Sequence, residues 1–213
     1  MNHQLQLHGL RCFRSQQRLF SGIDLTLSPG ELLHVAGENG SGKTTLLRII
    51  AGLHRDYSGE VRWCGTDVRQ QWPGFARDLL YLGHQPALKA QLSARENLGW
   101  YAACAGASVE AVDSALAALG IHAKADLPCH QLSAGQQRRI VLARLMFSRQ
   151  PLWLLDEPFT AIDVKGFAPV VDCLRQHLAR GGMVMMTTHH GMDSIDLPHR
   201  TLALGSPSTR SAA

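Results

Sequence analysis

Nine residues constrain this chain more than any others: Gly37-Glu38-Asn39-Gly40-Ser41-Gly42-Lys43-Thr44-Thr45. They read G-x-x-x-x-G-K-T, a loop that cradles phosphate. Each residue type has a reason. Glycines let the backbone turn tightly and bring N–H groups against an anion. Lys43 supplies a mobile cation for β- and γ-phosphates, and the Thr44 hydroxyl suits Mg²⁺, which takes oxygen ligands. The flanks agree. Residues 31–36 form a short apolar run that enters the loop as a strand, and residues 44–51 read as a helix whose positive end faces the phosphates. A bare motif of this kind arises by chance; strand, loop and helix in that order point to a nucleoside triphosphate.

The rest of the composition narrows the setting. A chain of 213 residues with 45% apolar residues suits one α/β domain with a full core and room for an inserted subdomain. The 21 Lys and Arg against 17 Asp and Glu leave a charge of +4, too mild to argue for nucleic acid. There is no apolar run long enough to span a bilayer and no signal-peptide pattern at the start. Cys12, Cys64, Cys104, Cys129 and Cys173 are scattered and form no C-x-x-C pair, which reads as free thiols in a reducing compartment.

Alternation at residues 3–8 and 23–27, and a short run at 59–65 between glycines, predict an antiparallel sheet beside the nucleotide core. Leu79-Leu80-Tyr81-Leu82 reads as a buried parallel strand. Residues 86–150 then turn Ala- and Leu-rich, and Ser93-Ala94-Arg95-Glu96 opens with a capping-box pattern, so this stretch reads as a helical insertion. Strands return at 152–155, 183–187 and 201–204, with a helix over 166–180 whose Pro169 is expected near the first turn. Residues 1–205 are expected to form one domain and 206–213 a frayed tail.

Four further motifs follow in order. Leu132-Ser133-Ala134-Gly135-Gln136 would offer a hydroxyl and N–H groups at a helix start; alone it reads as an ordinary capped helix. Leu152-Trp153-Leu154-Leu155-Asp156-Glu157-Pro158 is an apolar strand ending in two carboxylates, Asp156 for a metal shell and Glu157 for a water. Gln85 and His189 carry no weight singly.

Together, in this order, these motifs make the chain resemble the ATP-binding subunits of ABC transporters over nearly its whole length. The resemblance implies an α/β fold: a RecA-like P-loop NTPase core with an antiparallel β subdomain and an inserted α-helical subdomain. It implies ATP and Mg²⁺. Gly37 to Thr45 would bind the phosphates, with Lys43 also acting in catalysis. Thr44, Asp156 and Gln85 would serve the metal, and Gln85, Glu157 and His189 hydrolysis. Ser133 and Gly135 would cap the γ-phosphate held by a second copy, and Asp163 would lie in the adjoining loop. His189 is preferred over His190 because it directly follows Thr187-Thr188. Adenine would stack on a residue upstream of the loop, usually an aromatic one; the candidates are Phe13, which offers a π-face, and Arg14, whose guanidinium can also stack.

Within that family, Tyr81-Leu82-Gly83-His84-Gln85-Pro86-Ala87-Leu88-Lys89, Leu92 to Leu98 and Arg18-Leu19-Phe20-Ser21-Gly22 are similar to the cytochrome c maturation, or haem-export, ATPases. This implies a homodimer at the cytoplasmic face of the bacterial inner membrane, with an integral membrane permease and further cytochrome c maturation proteins as partners. Leu88, Leu92, Trp100 and Tyr101 are candidates to line the permease groove. The 11 histidines are dispersed and give no haem site. The alternatives are the motor of another small exporter and, more remotely, a soluble ATPase of the same family; a P-loop kinase has no use for Ser133 to Gly135 or His189.

Overall fold

The computed structural model describes residues 3–14, 17–162, 164–189 and 191–205. Asp163, His190 and the expected tail at 206–213 lie outside them.

The chain opens with β1 (Leu5–Arg14) and β2 (Gln17–Leu27), which pair antiparallel from Leu5–Leu27 to Arg14–Gln17. A register shift between Leu7 and Leu10 lets both face the core although they are three apart. Then follow β3 (Leu32–Ala36) and α1 (Lys43–Ile50). β4 (Ser58–Trp63) pairs with β1, and the short β5 (Thr66–Asp67) closes a four-stranded sheet in the order β2-β1-β4-β5. After α2 (Trp72–Asp78), β6 (Leu79–Leu82) becomes an edge strand of the second sheet.

Three helices come next: α3 (Ala94–Ala105), α4 (Val109–Ala118) and α5 (Ala134–Ala143). Ser93 caps α3 as its sequence predicts. Its Oγ accepts from Glu96 N at 3.1 Å while its own N–H donates to Glu96 Oε2 at 2.7 Å. The last third alternates β7 (Leu152–Asp156), α6 (Val164–Ala179), β8 (Met183–Thr187) and β9 (Arg200–Ala203). These strands, with β3 and β6, make a wholly parallel sheet in the order β6-β7-β8-β3-β9.

Both faces of the parallel sheet are covered, so its strands read as continuous apolar runs. Alternate residues part to opposite sides. Leu152, Leu154, Met183 and Met185 join α1 and the antiparallel sheet in one core. Trp153, Leu155, Val184 and Met186 join α6 and the three inserted helices in the other. The inserted helices thus share a core with the sheet.

One expectation is corrected. Because α6 begins at Val164, Pro169 is not in the first turn but inside the helix. It removes one interior hydrogen bond that the helix must do without.

Candidate nucleotide site

The site lies beyond the carboxyl ends of the parallel strands, where open α/β sheets bind ligands. β3 ends at Ala36 and hands over to the loop. Gly37 has φ of 150°, and a Cβ there would come within 2.5 Å of Ser41 Oγ and 2.6 Å of the Leu204 carbonyl, so only glycine fits. The buried Lys43 ammonium folds back over the loop and donates to the carbonyls of Gly37 (2.6 Å) and Glu38 (3.1 Å). The cation is therefore held where phosphates would meet it.

β7 brings in the carboxylates. Asp156 Oδ1 accepts two hydroxyls, Thr44 Oγ1 at 3.1 Å from the start of α1 and Thr187 Oγ1 at 2.9 Å from the end of β8. Its Oδ2 is buried with no hydrogen-bond partner. Glu157 follows in a left-handed conformation, φ 51°. Its N–H donates to Thr187 Oγ1 at 2.9 Å. Its Oε2 accepts from the His189 N–H at 3.1 Å, and its buried Oε1 lies 3.4 Å from His189 Nε2 without making a hydrogen bond. Thr44, Asp156, Thr187, Glu157 and His189 thus form one connected network drawn from three elements and the segment after β8.

The unpartnered oxygens bear on a metal. No cluster of three or more His, Cys, Asp or Glu exists among the described residues. A hydroxyl beside a carboxylate with one open oxygen fits Mg²⁺ instead, which completes its shell with waters and substrate phosphates rather than an all-protein cage.

A cavity of about 540 Å³ opens over this network, lined by Asn39, Gly40, Gly42, Lys43, Thr44, Thr45, Glu157 and His189 among others. Arg14 and Leu19 form its outer wall. Phe13, its neighbour on β1, does not line the cavity and stands 51% exposed, so of the two adenine candidates only Arg14 reaches the site. Glu38 borders the cradle through its carbonyl alone.

Gln85 lies in an adjoining cavity of about 550 Å³, which also reaches Thr44 and Asp156. Tyr81 borders that second cavity, and burial, with the Asp156 charge adding, pushes its phenol up to about 12. Of the four groove candidates none lines this cavity. Leu88 packs on the core; Tyr101 is pinned, with the Arg144 guanidinium 3.7 Å over its ring and its hydroxyl donating to the Ala87 carbonyl; Trp100, stacked edge-on against it, stands 64% exposed.

Ser133 and Gly135 do not line the cavity. Ser133 caps α5 reciprocally with Gln136 and is exposed. A Cβ on Gly135 would fall 2.7 Å from the Ala161 carbonyl, so the first turn of α5 rests on the loop after β7.

Three contributors escape a motif reading. Thr187 joins the two carboxylate positions by a hydroxyl, and the only signal for it is its place at a strand end before His189. His34, on β3, bonds the Thr188 backbone; burial pushes its imidazole down while that bond and Glu157 pull it up. Arg138 is described below.

The comparisons fit this geometry. Residues 20–160 match the ABC transporter family. The cytochrome c biogenesis ATP-binding export protein CcmA of Methylococcus capsulatus is 51% identical, covering 87% of this chain and 90% of that protein. That of Salmonella typhi is 47% identical, covering 94% and 96%; that of Pseudomonas fluorescens is 44% identical over the same shares. This chain belongs to the ABC transporter family, in the cytochrome c biogenesis ATP-binding export group.

Solved ABC proteins share its fold. The ATP-binding subunit of an ABC transporter superposes with a TM-score of 0.83 at 20% identity, covering 94% of this chain and 85% of that one. An ABC transporter ATP-binding protein of Pyrococcus furiosus gives 0.79 at 21%, covering 94% and 97%. The ABC chain is thus an α/β ATP-binding protein. Among its described residues no helix is long and apolar enough to cross a membrane.

Proposed function

We propose that this ABC chain is the ATP-hydrolysing subunit of a membrane export complex for cytochrome c biogenesis, serving haem export or the release of a haem-loaded chaperone. The observation that carries the ATPase reading is the shared Asp156 oxygen, bonded by Thr44 from the phosphate loop and by Thr187 beside Glu157. The relatives' names carry the cytochrome c reading.

In this reading the N–H groups of residues 37–45 receive the phosphates, and Lys43 exchanges its two carbonyls for β- and γ-oxygens. Thr44 and Asp156, with Gln85 at the rim, would hold Mg²⁺, which supplies charge neutralisation on the phosphates. Glu157 orients the attacking water and takes its proton, and His189 steadies that carboxylate through its backbone N–H while its ring lines the cavity, placed to donate to the transferring phosphate. Arg14 stacks on adenine through its guanidinium plane.

Ser133 and Gly135 do not line their own chain's cavity. They serve the γ-phosphate of a second copy in a head-to-tail homodimer, and Asp163, by its place in the order of motifs, serves the bound nucleotide. A membrane permease docks at the Gln85 cavity, whose lining includes the exposed Leu53, and so holds the chain peripherally at the cytoplasmic face of the inner membrane.

The test is the chain purified with its membrane partner. Glu157→Gln should bind ATP, lose hydrolysis and elute as a closed dimer with ATP, whereas Lys43→Ala should lose both binding and turnover. A Glu157→Gln protein that stays monomeric and hydrolyses normally would contradict the assignment.

A further inference from the structure

Arg138 is 4% exposed and, among the described residues, bonds no carboxylate. Such a charge is expensive to bury, and five carbonyls compensate it. Nη2 donates to Asp156 (2.9 Å) and Glu157 (2.6 Å), Nε to Pro158 (3.2 Å), and Nη1 to Gly83 (2.9 Å) and His84 (3.4 Å). The planar fork of a guanidinium can hold so many acceptors at once; an ammonium presents fewer donors from one point.

The acceptors belong to two segments that matter. One is the end of β7 and the turn after it; the other leads from β6 into Gln85. The donor sits in the first half of α5, three residues after Gly135, where a Cβ would fall 2.7 Å from the Ala161 carbonyl. Between them, Arg138 and Thr187 fix the carbonyls on both sides of the Glu157 Cα and its N–H. A left-handed backbone at a non-glycine residue is costly and persists only when its surroundings over-determine it.

We propose that Arg138 is a positioning residue for ATP hydrolysis, locking the strained backbone of Glu157 to the first turns of α5 and to the segment that carries Gln85. It acts through Glu157 and touches neither nucleotide nor water. Through it, a helix whose N-terminus faces outward shares one rigid joint with the hydrolytic carboxylate of its own chain. The inference rests on the reading that Glu157 activates water.

The test compares Arg138→Gln and Arg138→Lys with wild type in the purified complex, measuring kcat and KM for ATP. Losing the placement of one catalytic group should lower kcat about 10²-fold in Arg138→Gln and about 10-fold in Arg138→Lys, with KM within about threefold. Placed in a Glu157→Gln background, which binds ATP without turning it over, Arg138→Gln should leave the affinity for ATP unchanged, since the group it positions serves hydrolysis alone. A merely structural arginine would weaken ATP binding there or raise KM; either result overturns the inference, as does wild-type kcat in both variants. Should Arg138→Gln fold poorly, Arg138→Lys decides alone, and full kcat there overturns the role of the fork. Wild-type complex without any ATP turnover would instead sink the ATPase reading, and this inference with it.

Discussion

At Glu157 the strain and the chemistry coincide: φ is 51°, the side chain is buried, and one carboxylate oxygen has no hydrogen bond. His189 is the neighbour that touches it twice, while its own side chain remains 57% exposed on the cavity side. Replacing His189 by Ala keeps the N–H contact and removes the ring. We expect turnover to fall by about 10²-fold, the usual loss for one transition-state donor, whereas His190→Ala should leave the rate near wild type. Steady-state ATPase assays check this, and reversed effects would move the role to His190. The carboxylate pair, the lysine and the loop glycines were legible in the sequence because their chemistry is tied to a fixed local spacing. Thr187 was not, because its bond to Asp156 joins residues 31 apart on adjacent strands. Nor was the choice between Phe13 and Arg14: two neighbours on a strand point to opposite faces, and only the paired sheet shows which face meets the loop.

Among the elements, β7 has the greatest demands on it. It carries Asp156 at its end and is buried along its whole length. On one side Trp153 stacks flat on His177 of α6, with ring centroids 3.7 Å apart and planes 7° from parallel. Burial pushes His177 down to about 4, with weaker upward pulls from the backbone at Met183 and Pro151 and a further lowering by Arg180. The unfolded chain therefore binds this proton more readily than the folded one. The stability from keeping His177 neutral is fully present above pH ~6.5 and is lost as pH falls through that value towards 4. The loss is at most about 3 kcal/mol, and less because the ring is partly exposed. Urea melts of wild type and His177→Phe at pH 7 and pH 5 test it: wild type should lose more stability between them than the variant. Equal losses would show that His177 does not carry this linkage. Both partners were visible in the sequence, but their stacking was not, since α6 meets β7 only through the sheet's layering. The start of α6 was misjudged for a related reason. Pro169 looks like a first-turn residue from propensity, yet Val164 to Ala179 continues past it because packing on the sheet outweighs one lost hydrogen bond.

At the scale of the whole molecule, one chain gathers most of its motifs, but not all, at one site. The phosphate loop, Glu157 and His189 line one cavity, while Ser133 and Gly135 do not. In the proposed homodimer a second copy would complete the site; ATP would favour the closed pair and hydrolysis would remove that preference, which is how such a chain would drive a membrane partner. The order of motifs made this architecture readable, because the parallel strands β3, β7 and β8 must bring their carboxyl ends together wherever the intervening helices fall. The biological role rests on the relatives, so the most direct measurement joins that role to the chemistry. It is a haem stain of membrane proteins from a strain lacking this chain, complemented with wild type or with Glu157→Gln. The account expects b-type cytochromes in every strain, c-type bands restored by wild type, and no c-type bands with Glu157→Gln. Normal c-type bands in the strain lacking the chain would contradict it.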